Sequence, residues 1–199
     1  TAGARRFGLP QPLVPVAGIA ALACTLTWLF ASSASFLGFL PGPGTLARAD
    51  ALLLGRGTYQ TMQPYWEPAV DPDDAVAFAL NNLPKYLVSS TVADPTWRNT
   101  RILSGDPLEA VAALRDRRGE IQVHGSHQLA RSLHDAGMVD EYRLLVFPVV
   151  VGAGKRLFET GSVPSGFELL ESEALDNGVL HLRLRPVPFT TSEIGLGLL

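Results

Sequence analysis

Residues 52–62, LLLGRGTYQTM, decide how this chain folds. Three consecutive leucines read as a short buried strand after a short helix end. It breaks at Gly55-Arg56-Gly57-Thr58, and a helix begins over residues 58–62. Two readings of the break stay open. In the first it is an anion site. Gly55 lets the backbone approach a ligand, Thr58 caps a helix whose free N–H groups and dipole attract phosphate, and Arg56 offers a guanidinium fork that fits phosphate oxygens. In the second it is a strand-to-helix turn with a solvated arginine.

The same alternation continues downstream. Residues 64–74 read as a loop, residues 75–82 as a short helix, and residues 85–91 (KYLVSST) as a compact strand ending in hydroxyls. Residues 100–105 make another strand. The clearest helix follows, with Asp106 as N-cap, Pro107 at the first helical position and Glu109 closing a capping box. Its apolar face is Leu108, Val111, Ala112 and Leu114, and Gly119 stands at the C′ position. Residues 121–125 (IQVHG) form a strand, and Ser126 caps a helix through Leu129 and Leu133 to Gly137. Residues 141–152 hold a long buried strand. Residues 167–175 and 179–185 flank Asp176-Asn177-Gly178, which predicts an antiparallel hairpin. In its second strand Leu180, Leu182 and Leu184 alternate with His181, Arg183 and Arg185, so one face is wet. The pattern predicts an α/β fold, with a mixed, mainly parallel sheet flanked by helices and a C-terminal antiparallel hairpin.

A chain of 199 residues suits one domain, placed at residues 45–199, with residues 1–44 as an apolar appendage. Residues 7–47 carry no charge, and residues 13–30 are largely apolar. Arg5 and Arg6 precede that run and ASSAS (31–35) follows it, the outline of an export signal or membrane attachment within residues 1–34. The other readings are a buried segment and a shifted reading frame or wrong start. A net charge of −3 without clustered Lys and Arg gives no reason to expect nucleic acid. Cys24, the only cysteine, cannot form an intramolecular disulfide, so nothing points to an oxidising compartment. A cytoplasmic location is expected, with export or membrane attachment as the alternative.

In α/β sheets ligands bind beyond the carboxyl ends of strands, where loops enter helices. Three such ends carry suitable chemistry here. The first is Gly55-Arg56-Gly57-Thr58. The second is SST, where Ser89 and Ser90 can donate to a phosphate or a ribose. The third is VHGSHQL, where Gly125 admits a close backbone and Ser126 opens a helix whose N-terminus can hold a pyrophosphate. Together they point to a phosphate-bearing ligand. His124 and His127 face different ways with no evident third ligand, so no metal is expected. His134 reads as an exposed helix residue and His181 as a solvent-face strand residue. Asp140-Glu141 reads as a solvated turn, and Trp66 either borders the substrate site or packs over a loop.

The stretches GRGTY (55–59), KYLVSST (85–91), VHGSHQLARSL (123–133) and DEYRLLVFPVVVGAGKRLF (140–158) resemble, in this order and spacing, the dihydrofolate reductase-like superfamily. Within it the chain looks like the reductase domain of riboflavin biosynthesis, and the resemblance covers residues 46–185. It implies an NADPH-dependent reductase of a small heterocyclic or carbonyl substrate, needing no metal because the nicotinamide carries the hydride. It places Gly55, Arg56 and Thr58 on the cofactor phosphates, Ser89 and Ser90 near the adenosine ribose and its 2′-phosphate, and Gly125 and Ser126 at the pyrophosphate. Gly152 and Gly154 resemble a glycine turn bordering the site. The resemblance also implies a homodimer. Nothing before Leu46 matches the family's opening Ser-Leu-Asp-Gly-like stretch, so no catalytic side chain carries over. Gly125-Ser126 stands where Gly-Gly is commoner. A nucleotide-binding module without catalysis is the alternative function, and an exported or membrane-attached relative is a further one.

Overall fold

The computed structural model describes residues 46–116, 119–124, 126–150 and 155–190. The expectations for residues 1–44 therefore lie outside the described residues. Strand β1 (Ala51–Gly55) is buried at all five positions, as the leucine run requires. It is flanked by β2 (Lys85–Val88) and β4 (Ile121–Gln122), and β3 (Thr100–Ile102) lies beyond β2. All these pairs are parallel, in the order β3-β2-β1-β4.

Alternate side chains of β1 anchor two layers. Leu52 and Leu54 pack with α1 (Arg56–Trp66) and α2 (Ala75–Asn82), while Ala51 and Leu53 pack with α3 (Pro107–Arg115) and α4 (His127–Asp135). The helix expected from residue 58 starts at Arg56 and runs through Pro64, so Trp66 ends a helix rather than sitting in a loop. Trp66 is buried in the core, which removes it from the rim of any site. Asp106 caps α3 as expected, accepting from the amides of Leu108 and Glu109. Gly119 is not the C′ residue, because α3 closes at Asp116. A side chain there would run into the Asp50 carboxylate, which accepts from the Glu120 amide at 2.7 Å. Gly137 does serve α4 as expected. Its φ of +65° lets its amide reach His134 O and that of Met138 reach Leu133 O, closing the helix end.

Lys85, at the start of β2, is fully buried. Its Nζ donates to the carbonyls of Leu80 (2.7 Å) and Leu83 (2.9 Å) at the end of α2 and lies 4.7 Å from the centre of the Trp97 ring. Burial pushes this amine down to about 8. It satisfies helix-end carbonyls that would otherwise be orphaned.

The remaining strands form a separate antiparallel ladder, ordered β5-β7-β6: β5 (Tyr142–Val146), β6 (Ser165–Ala174) and β7 (Leu180–Pro188). The hairpin stands as expected, turning at Gly178 with φ +81°. The long buried strand over residues 141–152 does not. β5 ends at Val146, and Leu145, Val146, Phe147, Val149 and Val150 are exposed. His134 is likewise buried, not exposed. Val163 O can only accept, so Nε2 donates to it at 2.9 Å, and Nδ1 is hydrogen-bonded to the Tyr142 hydroxyl at 2.8 Å. These bonds tie α4 to β5 and to the segment entering β6.

Glu141 is no idle turn residue. Arg143 and Arg183 stand directly opposite each other on β5 and β7, an unfavourable like-charge pair. The Glu141 carboxylate accepts from both, at 2.7 Å from Arg143 and 2.9 Å from Arg183. Arg143 continues the row to Glu120 beside β4, at 3.0 Å. The hydrogen bonds from Arg183, then those from Arg143, overcome burial and hold Glu141 at about 2, well below the ordinary 4.5. A depressed carboxylate contributes stability above its unfolded value and loses it as pH falls through its folded value. The thermal midpoint is therefore expected to fall between pH 4.5 and 2, and Glu141→Gln should flatten that limb. At neutral pH the substitution should cost about 1 kcal/mol by chemical denaturation.

Candidate functional site

The parallel sheet contains a switch point. The chain runs from β1 to β2 and β3 on one side, then returns to place β4 on the other side of β1. Helices α1 and α4 leave β1 and β4 on opposite faces, and their N-termini converge where these strands part. The β1–β4 pairing ends at Leu52 and Gln122. Crevices of this kind, beyond the carboxyl ends of strands at a reversal of strand order, are the ligand sites of open α/β sheets.

The convergence is built by Ser126. Its Oγ accepts from the Gly55 amide at 2.9 Å and lies 2.5 Å from Thr58 Oγ1. Thr58 is therefore not the helix cap expected from the sequence. It sits at the third helical position of α1, 2 % exposed, with its hydroxyl turned to Ser126. Ser126 occupies the N-cap position of α4, yet its side chain makes no cap bond to its own helix. Gly55 is small for a definite reason, because a Cβ there would lie 2.5 Å from Ser126 Oγ and 2.8 Å from Ser126 Cβ. The close approach is to a neighbouring side chain.

The four described helices divide by their starts. Asp74 caps α2 and Asp106 caps α3. Neither α1 nor α4 has a side-chain cap or an acidic residue in its first turn. Arg56 opens α1, placing a cation at the positive end of the helix dipole, against the ordinary preference. An anion in the crevice would be attracted by both the guanidinium and the helix start. The Arg56 side chain is exposed and its Nη1 reaches Thr91 Oγ1 at 3.4 Å. This joins α1 to the turn after β2, where Ser89 Oγ accepts from the amides of Thr91 (3.2 Å) and Val92 (3.0 Å) and Ser90 is exposed.

The structure thus brings Gly55, Arg56, Thr58 and Ser126 together, with Ser89 and Ser90 linked through Thr91. Thr91 went unread in the sequence, although it is the third hydroxyl of the same SST run. Gly125, Gly152 and Gly154 lie outside the described residues. His124 bonds Gln122 Oε1 at 2.9 Å, and burial, then the Arg143 charge, lowers its imidazole to about 4, so it is neutral at physiological pH. His127 turns to Glu159, at 3.7 Å. Among the described residues no three His, Cys, Asp or Glu side chains form a metal-binding group. A groove at the other end of α4 is lined by His134, Asp140, Ser165, Arg185 and Pro186. Its Asp140 and Arg185 are already paired, with Arg115 and Glu168.

A parallel sheet with a crevice at its switch point and an antiparallel ladder beside it make a mixed α/β domain. Residues 44–181 match the RibD C-terminal domain family, and the chain belongs to that family. It is 27% identical over 139 residues to the uncharacterized protein YyaP of Bacillus subtilis, covering 69% of this chain and 74% of that protein. A putative riboflavin biosynthesis protein from Shewanella sp. PV-4 superimposes with a TM-score of 0.61 at 17% identity, covering 74% of this chain and 80% of that one. A pyrimidine reductase-like protein of Corynebacterium diphtheriae gives 0.50 at 17% identity, covering 71% and 77%. Among the described residues no helix is long and apolar enough to cross a membrane.

Gly55→Ala is expected to destabilise the fold by about 1–3 kcal/mol, the usual range for overpacking. Removing the obstructing side chain with Ser126→Gly should recover most of that loss. Equilibrium unfolding of both single variants and the double variant measures it, and an unrescued Gly55→Ala would locate the clash elsewhere.

Proposed function

We propose that the chain is an NADPH-dependent reductase of a small heterocyclic or carbonyl substrate, within the riboflavin-biosynthesis-like reductase family. The observation that carries this reading is the meeting of two uncapped helix N-termini at the switch point, with Arg56 at the mouth. Amides at helix starts and a guanidinium fit the phosphates of a dinucleotide. In this reading the pyrophosphate lies at the helix starts that Gly55, Thr58, Gly125 and Ser126 build. Arg56, with Ser89 and Ser90, receives the 2′-phosphate side, and Gly152 and Gly154 belong to the glycine turn that borders the site. The nicotinamide, when bound, supplies the hydride; the chain binds it, orients it and excludes water.

NADPH titrated against the protein is expected to give saturable nicotinamide fluorescence, followed by turnover on a panel of carbonyl and heterocyclic compounds. Absence of binding overturns the reading; binding without turnover on any panel member favours a nucleotide-binding module. Arg56→Ala should weaken NADPH by about 1.5–3 kcal/mol and NADH by less, the range for a hydrogen bond to a charged group. Equal losses for both nucleotides would remove Arg56 from the 2′-phosphate.

The protein is further read as a homodimer. Among the described residues the edge strand β5 leads into exposed Val149 and Val150, and apolar edges are normally covered. A two-fold contact between identical surfaces is the commonest cover. Light scattering at micromolar concentration should give twice the chain mass of 21.3 kDa. A single chain mass would assign the cover to the chain itself.

A further inference from the structure

Ser126 combines three features that do not usually occur together. Its backbone is left-handed, with φ +61° and ψ +69°. Among the described non-glycine residues only Asn99 shares a positive φ, and its amide side chain is bonded to the carbonyls of Asn81 and Asn82. A serine at an N-cap normally turns its oxygen onto its own helix; this one turns it onto the amide of Gly55 and the hydroxyl of Thr58. And Gly55 has no room for a side chain because Ser126 fills the space. A left-handed serine persists only where its surroundings hold it. Here they are the start of the other helix.

We propose that Ser126 is a positioning residue for the dinucleotide's diphosphate, acting through Gly55 and Thr58 rather than by its own contact with the ligand. This rests on reading the crevice as the cofactor-phosphate site. Because its hydroxyl serves α1, the first-turn amides of α4 stay without a side-chain cap. Because the same hydroxyl pins α4 to α1, both sets of amides are held at one spacing. A diphosphate has two phosphoryl groups at fixed separation, so the spacing of two helix starts sets its affinity. Thr58 is buried behind this junction and forms the second half of the clamp. The diphosphate is common to NADH and NADPH, so Ser126 governs affinity for both and the choice between them falls to other residues.

The test measures dissociation constants of NADPH and NADH, by nicotinamide fluorescence, for the full chain and for Ser126→Ala, Ser126→Gly, Thr58→Val and the Ser126→Ala/Thr58→Val pair. Each single variant is expected to weaken both nucleotides by the same factor, on the order of tenfold, as loss of one clamp bond implies. The pair should be no weaker than the weaker single variant, because either substitution opens the same clamp. Ser126→Gly is the decisive variant. Glycine relieves the left-handed strain, so its thermal midpoint should equal or exceed that of Ser126→Ala while its affinity stays equally low. Wild-type affinity in Ser126→Gly, or multiplied losses in the pair, would overturn the clamp while leaving the cofactor reading intact. Failure of the wild-type chain to bind either nucleotide would overturn that reading and this role with it.

Discussion

Strand β1 is the constraint on which the molecule depends. It must satisfy two layers at once, since Leu52 and Leu54 serve one helical pair and Ala51 and Leu53 the other. Its neighbours β2 and β4 both run parallel to it, and the helices between these strands cover the two faces. The crossovers run first to one side of β1 and later to the other, and that reversal opens the crevice between α1 and α4. The position of the crevice follows from the order of the strands on either side of β1.

Much of this was legible in the sequence because it rests on local chemistry. The leucine run, the Asp106-Pro107 start, the helix over Ala75–Asn82 and the Asn177-Gly178 turn carry their structural reasons within a few residues. The misreadings share a cause, which is that their partners are distant in the chain. His134 looks like a surface residue until Tyr142 and Val163 meet it. Glu141 looks solvated until β7 brings Arg183 alongside. Gly119 looks like a helix stop until Asp50, far upstream, occupies its open side. Apolar composition suggested burial for residues 141–152, but exposure depends on what covers the edge.

The candidate site shows the same division. Its residue types were legible, since glycine, serine, threonine and arginine at strand ends carry a definite chemistry. Their roles were not. Thr58 reads as a cap by position and turns out to be one side of a hydroxyl pair; Ser126 reads as a cap and leaves its own helix uncapped. Both exchanges follow from the 2.9 Å approach of Ser126 to the Gly55 amide, a contact between residues 71 positions apart.

Helix α4 joins the two halves of the molecule end to end. Its head is fastened to α1 through Ser126, and its tail to β5 through the His134–Tyr142 bond. Nine helical residues make a stiff rod of about 13 Å. Such a rod does not bend to absorb a small displacement at one end. It holds the Ser126 contact and the Tyr142 contact at a fixed separation. The crevice and the start of the second ladder share this one helix as a wall.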